Sequence, residues 1–266
     1  MCTDKRETER EARSYDEMPL EAKARIVVQG PKEGLTHTEQ RDTSFPTMPE
    51  DALHVFFTIA VSMGWLVRQG DVEAAFLSGL SLARRLILKA PRHGLPAIPG
   101  VMHAIPGGTY FIALKAVYGV NDAPNLQSGR HAQGLADNGA VESSLAPRTL
   151  FWWFDARASS LPTSLVGMAG THVDDDLFAG DERWIMEVLP RIRKTFAYTK
   201  WQNGQLPFTH LGRRVTQTHE RIILDQEDYS LGLKQIALPK ERREQQAAPA
   251  LPAEISALKS SCGKAA

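Results

Sequence analysis

The segment from Leu53 to Val67 limits most strongly what this chain can fold into, because it is the longest apolar stretch of the sequence. Three polar residues and a glycine interrupt it: His54, Thr58, Ser62 and Gly64. The stretch therefore falls short of the roughly 20 apolar residues that a membrane-spanning helix needs. Its apolar side chains would surround most of a helix circumference, so we expect a helix packed deeply inside a globular domain.

Start and stop signals flank this helix. Thr47 is a candidate N-cap, Pro49 and two acidic residues suit the first turn, and Gly64 predicts the end. The following residues 65–67 indicate a strand, which we expect to end at residues 70–71 where a glycine meets an aspartate.

Hydrophobic periodicity and turn residues predict the remaining elements. The predicted strands are 24–28, 110–114, 150–154, 164–168, a pair around the acidic turn at 174–176, and a pair at 208–215 and 220–225. The predicted helices are 123–138, 182–196 with a kink at Pro190, and a weak helix within 250–261. Four prolines and four glycines predict a loop over 91–109.

Charge and cysteine content exclude several classes of protein. The 266 residues carry 31 basic and 31 acidic side chains, which argues against a protein that mainly coats nucleic acid. The balance still allows an enzyme that combines a carboxylate metal centre with a basic track. Cys2 and Cys262 are the only cysteines, which excludes a disulfide framework and a C-x-x-C zinc site and fits a reducing compartment.

Two acidic positions carry the most chemical information. Asp71 follows a predicted strand, and residues 174–176 form an Asp-Asp-Asp run between apolar neighbours. Carboxylates held close together cost several kcal/mol unless a cation compensates them, and Mg²⁺ prefers such oxygen ligands. Two Mg²⁺ ions about 3.5–4 Å apart would clamp a phosphoryl transfer. The alternative is ordinary turn chemistry, since aspartate often bonds its own backbone in turns.

Seven short blocks occur in a fixed order, and together they resemble a known family. The blocks read KARIVVQG, DTSFPTMP before the apolar helix and GW, QGDVEAAFLSG, LKAVYGVNDAP, THVDDDLFAG, FTHLGRRV and IILDQEDY. They resemble the reverse transcriptase domain of copia-type LTR retrotransposons over roughly residues 23–260. No single block is decisive, but their shared order and spacing make an accidental resemblance improbable.

The resemblance implies an α+β fold of the right-hand polymerase type, with fingers and with a palm whose antiparallel sheet is backed by helices. Residues 1–22 would be a charged, solvated or disordered tail. Residues 23–240 would form the fingers and palm, and residues 241–266 the truncated start of the next, connecting region. The expected location is intracellular, in the cytoplasm or nucleus.

The resemblance also implies the activity of an RNA-directed DNA polymerase. Asp71, Asp174 and Asp175 match the catalytic carboxylates, and together with Val72 they would hold two Mg²⁺ ions, or Mn²⁺ in their place. The reaction would transfer a nucleotide from a dNTP to a primer 3′-hydroxyl. The implied partners are an RNA or DNA template with its primer, dNTPs and the rest of a Pol polyprotein, with no membrane.

Basic and aromatic positions match the family's substrate-binding residues. Lys23 and Arg25 would hold the incoming triphosphate, where the planar arginine fork grips phosphate oxygens. Phe76 would pack under the sugar and leave no room for a 2′-hydroxyl. From the residues alone, a strand with two exposed basic side chains explains Lys23 and Arg25 equally well, and an ordinary core phenylalanine is the better interpretation of Phe76.

Four further positions complete the implied nucleotide pocket. Ala74 and Ala75 would offer backbone N–H groups to the phosphates. Tyr118 and Gly119 match a Tyr-Gly pair beside the pocket, where glycine permits a close backbone approach.

Two departures from the family pattern keep other functions open. Residues 125–127 read Asn-Leu-Gln where the family has Arg and Trp, and Asp176 stands at a usually apolar position. We expect this third charge to be solvated or to repel its neighbours. One alternative is a decayed, non-catalytic remnant that acts at most as a binding scaffold. Another is a metal-dependent nuclease, because the same carboxylates could activate water.

Overall fold

The computed structural model describes the central part of the chain and several short flanking segments. The described residues are 2–4, 22–24, 27–30, 43, 46–97, 100, 103–155, 165–205, 207–232, 238, 242, 244 and 249–256. The helices are α1 (Glu50–Ser62), α2 (Ala123–Asp137), α3 (Glu182–Glu187), α4 (Leu189–Thr195) and α5 (Glu227–Gly232).

Thirteen strands are defined within these residues. They are β1 (Cys2–Asp4), β2 (Ala22–Ala24), β3 (Arg68–Val72), β4 (Ser81–Lys89), β5 (Tyr110–Lys115), β6 (Val141–Glu142), β7 (Leu150–Phe154), β8 (Leu165–His172), β9 (Asp175–Gly180), β10 (Tyr198–Gln202), β11 (Phe208–His210), β12 (Arg213–Gln217) and β13 (Ile222–Asp225). A 3₁₀ turn covers Ala75–Ser78.

A six-stranded sheet forms the centre, with strand order β10-β3-β9-β8-β7-β6. Every neighbouring pair in it is antiparallel. Two-stranded sheets pair β1 with β2 and β4 with β5, and a three-stranded sheet has the order β11-β12-β13. Antiparallel sheets with separate helices confirm the coarse prediction of a mixed α+β chain.

Strand side chains alternate between the two faces of the central sheet, so both faces carry apolar residues, and helices cover both of them. On one face, Phe56 of α1 packs with Leu177 of β9. On the other face, Trp184 of α3 and Ile192 of α4 pack with Phe178, the next residue of β9. Burial of each such side chain contributes about 1.5–3 kcal/mol, so the sheet is held between two separate hydrophobic cores.

A pair of glycines makes room for Trp184. Gly167 and Gly180 lie opposite each other on β8 and β9. A Cβ added at Gly167 would come within 2.4 Å of the Trp184 indole, and one added at Gly180 within 2.6 Å. Trp184 therefore packs directly on the sheet backbone, and this contact fixes α3 behind the β8–β9 hairpin.

Helix α1 confirms the predicted buried helix, although it begins differently. Pro49 occupies the N-cap position and no side chain caps the helix, so the prediction of Thr47 as N-cap was wrong. Glu50 and Asp51 lie in the first turn, where their charges favour the unpaired N–H groups. Gly64 follows the helix with a φ of 68° and supports its end.

Most other predicted elements are present with small shifts. The predicted helix over 182–196 is divided at Val188, just before Pro190, into α3 and α4. Proline cannot donate a helical hydrogen bond, which explains the division. Residues 252–256 are helical within the weak helix predicted near the end.

Three predicted strands have different bounds. The strand predicted to end at residues 70–71 runs through Val72, so Asp71 lies inside β3. The segment predicted as one strand over 208–215 is a hairpin, because Leu211 and Gly212 turn the chain with φ of 50° and 72°. Near the start of the chain, β2 ends at Ala24, where the expected strand over 24–28 begins. Residues 27–28 lie outside any strand.

The division of the chain into tail, polymerase region and connecting region stays a prediction. Strand β1 pairs with β2, so Cys2–Asp4 of the expected tail forms a strand. Among the described residues, no helix is both long enough and apolar enough to cross a membrane.

Candidate active site

The fold places two of the three predicted catalytic aspartates opposite each other and the third in the adjoining turn. Asp71 of β3 lies directly opposite Asp175 of β9 in the antiparallel register. Opposite residues share one face of a sheet, with Cβ atoms about 4.5–5.5 Å apart. Asp174 lies in the turn between β8 and β9, and its carbonyl oxygen accepts a 2.7 Å hydrogen bond from the N–H of Val72. Residues separated by about a hundred positions in sequence therefore meet at the end of one hairpin.

The electrostatics of Asp175 reflect this crowding. Burial raises the pKa of its carboxyl from 3.8 to about 6, and the charge of Asp174 raises it next most strongly. Asp71 and Asp176 add further repulsion, while a hydrogen bond from Nε2 of Gln69 at 3.3 Å partly offsets it. A cation at this carboxylate would relieve the repulsion.

Asp71 already has a cationic neighbour. Nζ of Lys200 lies 3.3 Å from Oδ2 of Asp71. The lysine side chain is 80% exposed, and such solvent-exposed pairs contribute at most about 1 kcal/mol. The ammonium group can therefore be displaced from Asp71 at little cost.

The donor chemistry of this site fits Mg²⁺. Among the described residues, no group of three or more His, Cys, Asp or Glu side chains is arranged to hold a metal ion. Mg²⁺, however, usually binds through one or two protein carboxylates together with substrate phosphates and water. Asp71 and Asp175 supply two carboxylates, and their acidic neighbours add negative charge, although burial is the largest cause of the raised pKa of Asp175. Val72 follows Asp71 in β3, its side chain is buried in the core on the opposite face of the sheet, and its N–H donates to the carbonyl oxygen of Asp174.

Gln127 holds the acidic turn from helix α2. Its Nε2 donates a 3.1 Å hydrogen bond to the carbonyl oxygen of Val173, the residue before Asp174. Val173 has a φ of 63°, a left-handed conformation that is unusual for a β-branched residue. The buried Gln127 departs from the family pattern and here stabilises a strained turn.

Asp176 lies on the opposite face from Asp175 and is fully buried. The hydroxyl of Tyr198 donates a 2.6 Å hydrogen bond to its Oδ2, and Nε2 of His131 lies 3.0 Å from the same oxygen. Burial and the charge of Asp176 raise the pKa of Tyr198, so the phenol stays a proton donor. Of the two outcomes expected for Asp176, repulsion of the neighbouring Asp175 is present and solvation is not, because the alternation of strand side chains turns Asp176 into the core.

The side chains of Phe76 and Tyr118 contact each other, and their role in a nucleotide pocket stays a prediction. Their rings meet edge to face with centroids 5.5 Å apart. A Cβ added at Gly119, whose φ is 91°, would come within 2.0 Å of the carbonyl oxygen of Val28. The close backbone approach at Gly119 is thus made by the chain itself.

The other predicted substrate-binding residues lie in different parts of the fold. Ala74 directly precedes the 3₁₀ turn with a φ of 49°, and Ala75 is buried in the core behind it. Lys23 lies in β2 opposite Thr3, in a sheet separate from the one that carries the acids. Arg25 lies outside the described residues.

Two neighbours of the acids were not predicted. Gln69 lies two residues before Asp71, and the strand period of two places both side chains on one face, so the sequence contained this signal. Lys200 reaches Asp71 through β10, whose pairing with β3 has no comparable sequence signal.

No protein-family model, curated protein or solved structure matches this chain. Support for a function therefore comes from the pairing of Asp71 with Asp175, from the adjoining turn and from the ordered sequence blocks.

Proposed function

We propose that this chain is an RNA-directed DNA polymerase domain of a copia-type retroelement, which joins a dNTP to the 3′-hydroxyl of a template-bound primer. The observation that carries the proposal is the pairing of Asp71 with Asp175 across β3 and β9, with Asp174 in the adjoining turn. The order of the seven sequence blocks supports the same activity.

In this proposal, strands β3 and β9 and the turn before β9 position the reacting groups. Two Mg²⁺ ions, when bound, supply charge neutralisation for the transferred phosphate and activation of the primer hydroxyl. Asp71 and Asp175 would hold the cations, and Asp174 would add negative charge at the turn. The exposed Lys200 pairs only weakly with Asp71 and would not block this role. Val173 and Gln127 keep the turn in place, so that the carboxylates need little reorganisation during the reaction.

The edge-to-face pair of Phe76 and Tyr118 is proposed to form the wall beside the sugar. A ring in this position leaves no space for a 2′-hydroxyl and selects deoxynucleotides. The 3₁₀ turn that carries Phe76 begins three residues after Val72, so the wall is joined directly to the strand that bears Asp71.

Primer extension tests the proposal. Purified full-length chain is incubated with poly(rA)/oligo(dT), labelled dTTP and Mg²⁺, in parallel with Asp174→Asn and with Asp137→Asn as a control. Asp137 is an exposed aspartate at the end of α2. We expect incorporation by the wild type and the control, and a loss of about 100-fold or more in Asp174→Asn. Incorporation that survives Asp174→Asn would discredit the assigned site.

A non-catalytic binding scaffold is the second candidate, and the ion pair between Lys200 and Asp71 favours it. In a remnant without metal chemistry, this pair would serve as the permanent neutralisation of Asp71. The same assay separates the candidates, because a folded scaffold would incorporate no nucleotide with either Mg²⁺ or Mn²⁺. It would also gain no thermal stability from either ion.

A further inference from the structure

Basic charge is concentrated in one part of this neutral chain. From residue 74 to residue 121 the sequence contains five Arg and Lys residues and no Asp or Glu. This stretch forms the β4–β5 hairpin and its connections. Because the whole chain has a net charge of zero, the excess of positive charge here is a local property of the hairpin.

The hairpin has one covered face and one open face. Leu86 of β4 packs inward with Ala116 and Val120. The residues that alternate with Leu86 point outward, and Ile87 lies directly opposite Ile112 on the open side. We define the open face by its exposed residues: Arg85, Ile87, Lys89, Tyr110, Ile112 and Leu114.

The open face exposes large apolar and aromatic side chains to solvent. Tyr110 is 66% exposed and Leu114 is 79% exposed. Nζ of Lys89 lies 5.4 Å from the centroid of the Tyr110 ring, so an aromatic plane and a cation adjoin each other. Contiguous exposed apolar residues mark interaction sites in soluble proteins.

The basic residues of the open face have no acidic partner in the part of the chain that the structure describes. Arg84, on the covered face, is paired with Asp122. Other basic positions are neutralised as well, since Arg213 pairs with Glu50 and Arg214 with Asp225. Among the described residues, Arg85 and Lys89 form no such ion pair. Their charge is therefore available to a polyanion.

We infer that the open face of the β4–β5 hairpin binds single-stranded nucleic acid. Basic side chains that follow a phosphate backbone and an exposed aromatic ring that stacks on a base are the two elements of such binding. The inference deepens the proposed function. It rests on that function only where it identifies the bound nucleic-acid strand as the unpaired part of the template. An anionic membrane surface and a protein partner are the competing occupants, and the binding experiments distinguish them from a nucleic-acid strand.

Fluorescence anisotropy with a labelled oligo(rU) tests this inference on the full-length chain. We expect Arg85→Glu/Lys89→Glu to weaken binding about tenfold or more, because two phosphate contacts are lost and two negative charges are added. The slope of log K against log salt should fall by about 1.4, since each phosphate contact to a single strand contributes about 0.7. Lys194→Glu/Arg221→Glu, which reverses two other exposed charges, should leave both values nearly unchanged.

The aromatic contribution is tested separately. Tyr110→Ala should weaken binding about fivefold or more, whereas Tyr110→Phe, which keeps the ring, should retain the wild-type affinity. Circular dichroism confirms folding of each variant, and Arg85→Gln/Lys89→Gln replaces the charge-reversed variant if that variant does not fold. Equal losses in the control and the hairpin variant would overturn the inference.

The binding assay does not depend on polymerisation. Asp174→Asn should bind oligo(rU) as the wild type does, so a failed extension assay with normal binding would contradict only the proposed activity. Conversely, wild-type binding by the hairpin variants would overturn this inference and leave the polymerase proposal intact. Binding to phosphatidylserine vesicles without binding to oligo(rU), or self-association abolished by Leu114→Ser without oligonucleotide binding, would also overturn it.

Discussion

Tyr198 donates a 2.6 Å hydrogen bond from its hydroxyl to Oδ2 of Asp176, a carboxylate with no exposed surface. Nε2 of His131 approaches the same oxygen to 3.0 Å. A carboxylate withdrawn from water costs several kcal/mol unless polar groups compensate it. Both contacts engage Oδ2 of Asp176, whereas its buried Oδ1 has no hydrogen-bond partner among the described residues.

Tyr198→Phe should therefore lower the free energy of unfolding by about 1–3 kcal/mol, because it removes a hydrogen bond from a buried carboxylate. Urea unfolding followed by fluorescence measures the change. Tyr110→Phe, at an exposed ring, should stay within about 0.5 kcal/mol of the wild type. Equal stabilities of the two variants would show that the Tyr198 contact contributes nothing.

Gly167→Ala should destabilise the chain by about 1–3 kcal/mol through overpacking. The added methyl would meet the Trp184 indole at 2.4 Å, and Trp184 is almost fully buried. Gly232→Ala is the matched control, because a Cβ there meets no atom within 4 Å. Thermal unfolding compares the two variants, and an unchanged midpoint in Gly167→Ala would contradict the described packing of α3.

The pH dependence of stability should report the crowding around Asp175. Because its pKa is raised to about 6 in the folded chain, the folded state holds this proton more tightly than the unfolded state. Stability therefore falls as the pH rises from about 4 to 6, and the penalty is complete above that range. Solvent screening of this partly exposed group limits the penalty to about 1–2 kcal/mol.

Asp175→Asn removes this titration, so the variant does not lose stability as the wild type does. The stability of the variant relative to the wild type should therefore increase between about pH 4 and pH 6.5. Urea unfolding at several pH values without divalent cations measures the difference. A difference that is constant with pH would show that Asp175 does not carry a raised pKa.

Lys200→Met should increase the affinity for Mg²⁺ by up to about fivefold, because an ammonium group no longer competes for Asp71. Calorimetric titration of Mg²⁺ measures the change. Lys194→Met, which removes an exposed lysine from α4, should leave the affinity unaltered. A Lys200→Met variant that binds Mg²⁺ no better than the wild type would place the cation away from Asp71.

Much of the central sheet was predictable because its signals are local. The acidic turn between two apolar strands predicted the β8–β9 hairpin, and the apolar stretch from Leu53 predicted α1. The strand end at Gly70 was misread because glycine usually punctuates a chain. Here Gly70 lies inside β3, where the rings of Tyr198 and Trp201 come so close that a Cβ would meet them at 2.7–2.8 Å.

The surroundings of the acids were less predictable because they depend on long-range pairing. His131, Asp176 and Tyr198 come from three different elements, and no local pattern joins them. The turn at Leu211 was missed for another reason, since leucine rarely adopts a positive φ and only the neighbouring Gly212 signals the reversal.

Extension of oligo(dT) on poly(rA) by Asp71→Asn and by Asp175→Asn tests most directly whether the two paired aspartates form a nucleotidyl-transfer site. We predict Mg²⁺-dependent incorporation of labelled dTTP by the wild type and a loss of about 100-fold or more in each variant, with folding retained. No incorporation by the folded wild type, or incorporation that persists in either variant, would contradict the account.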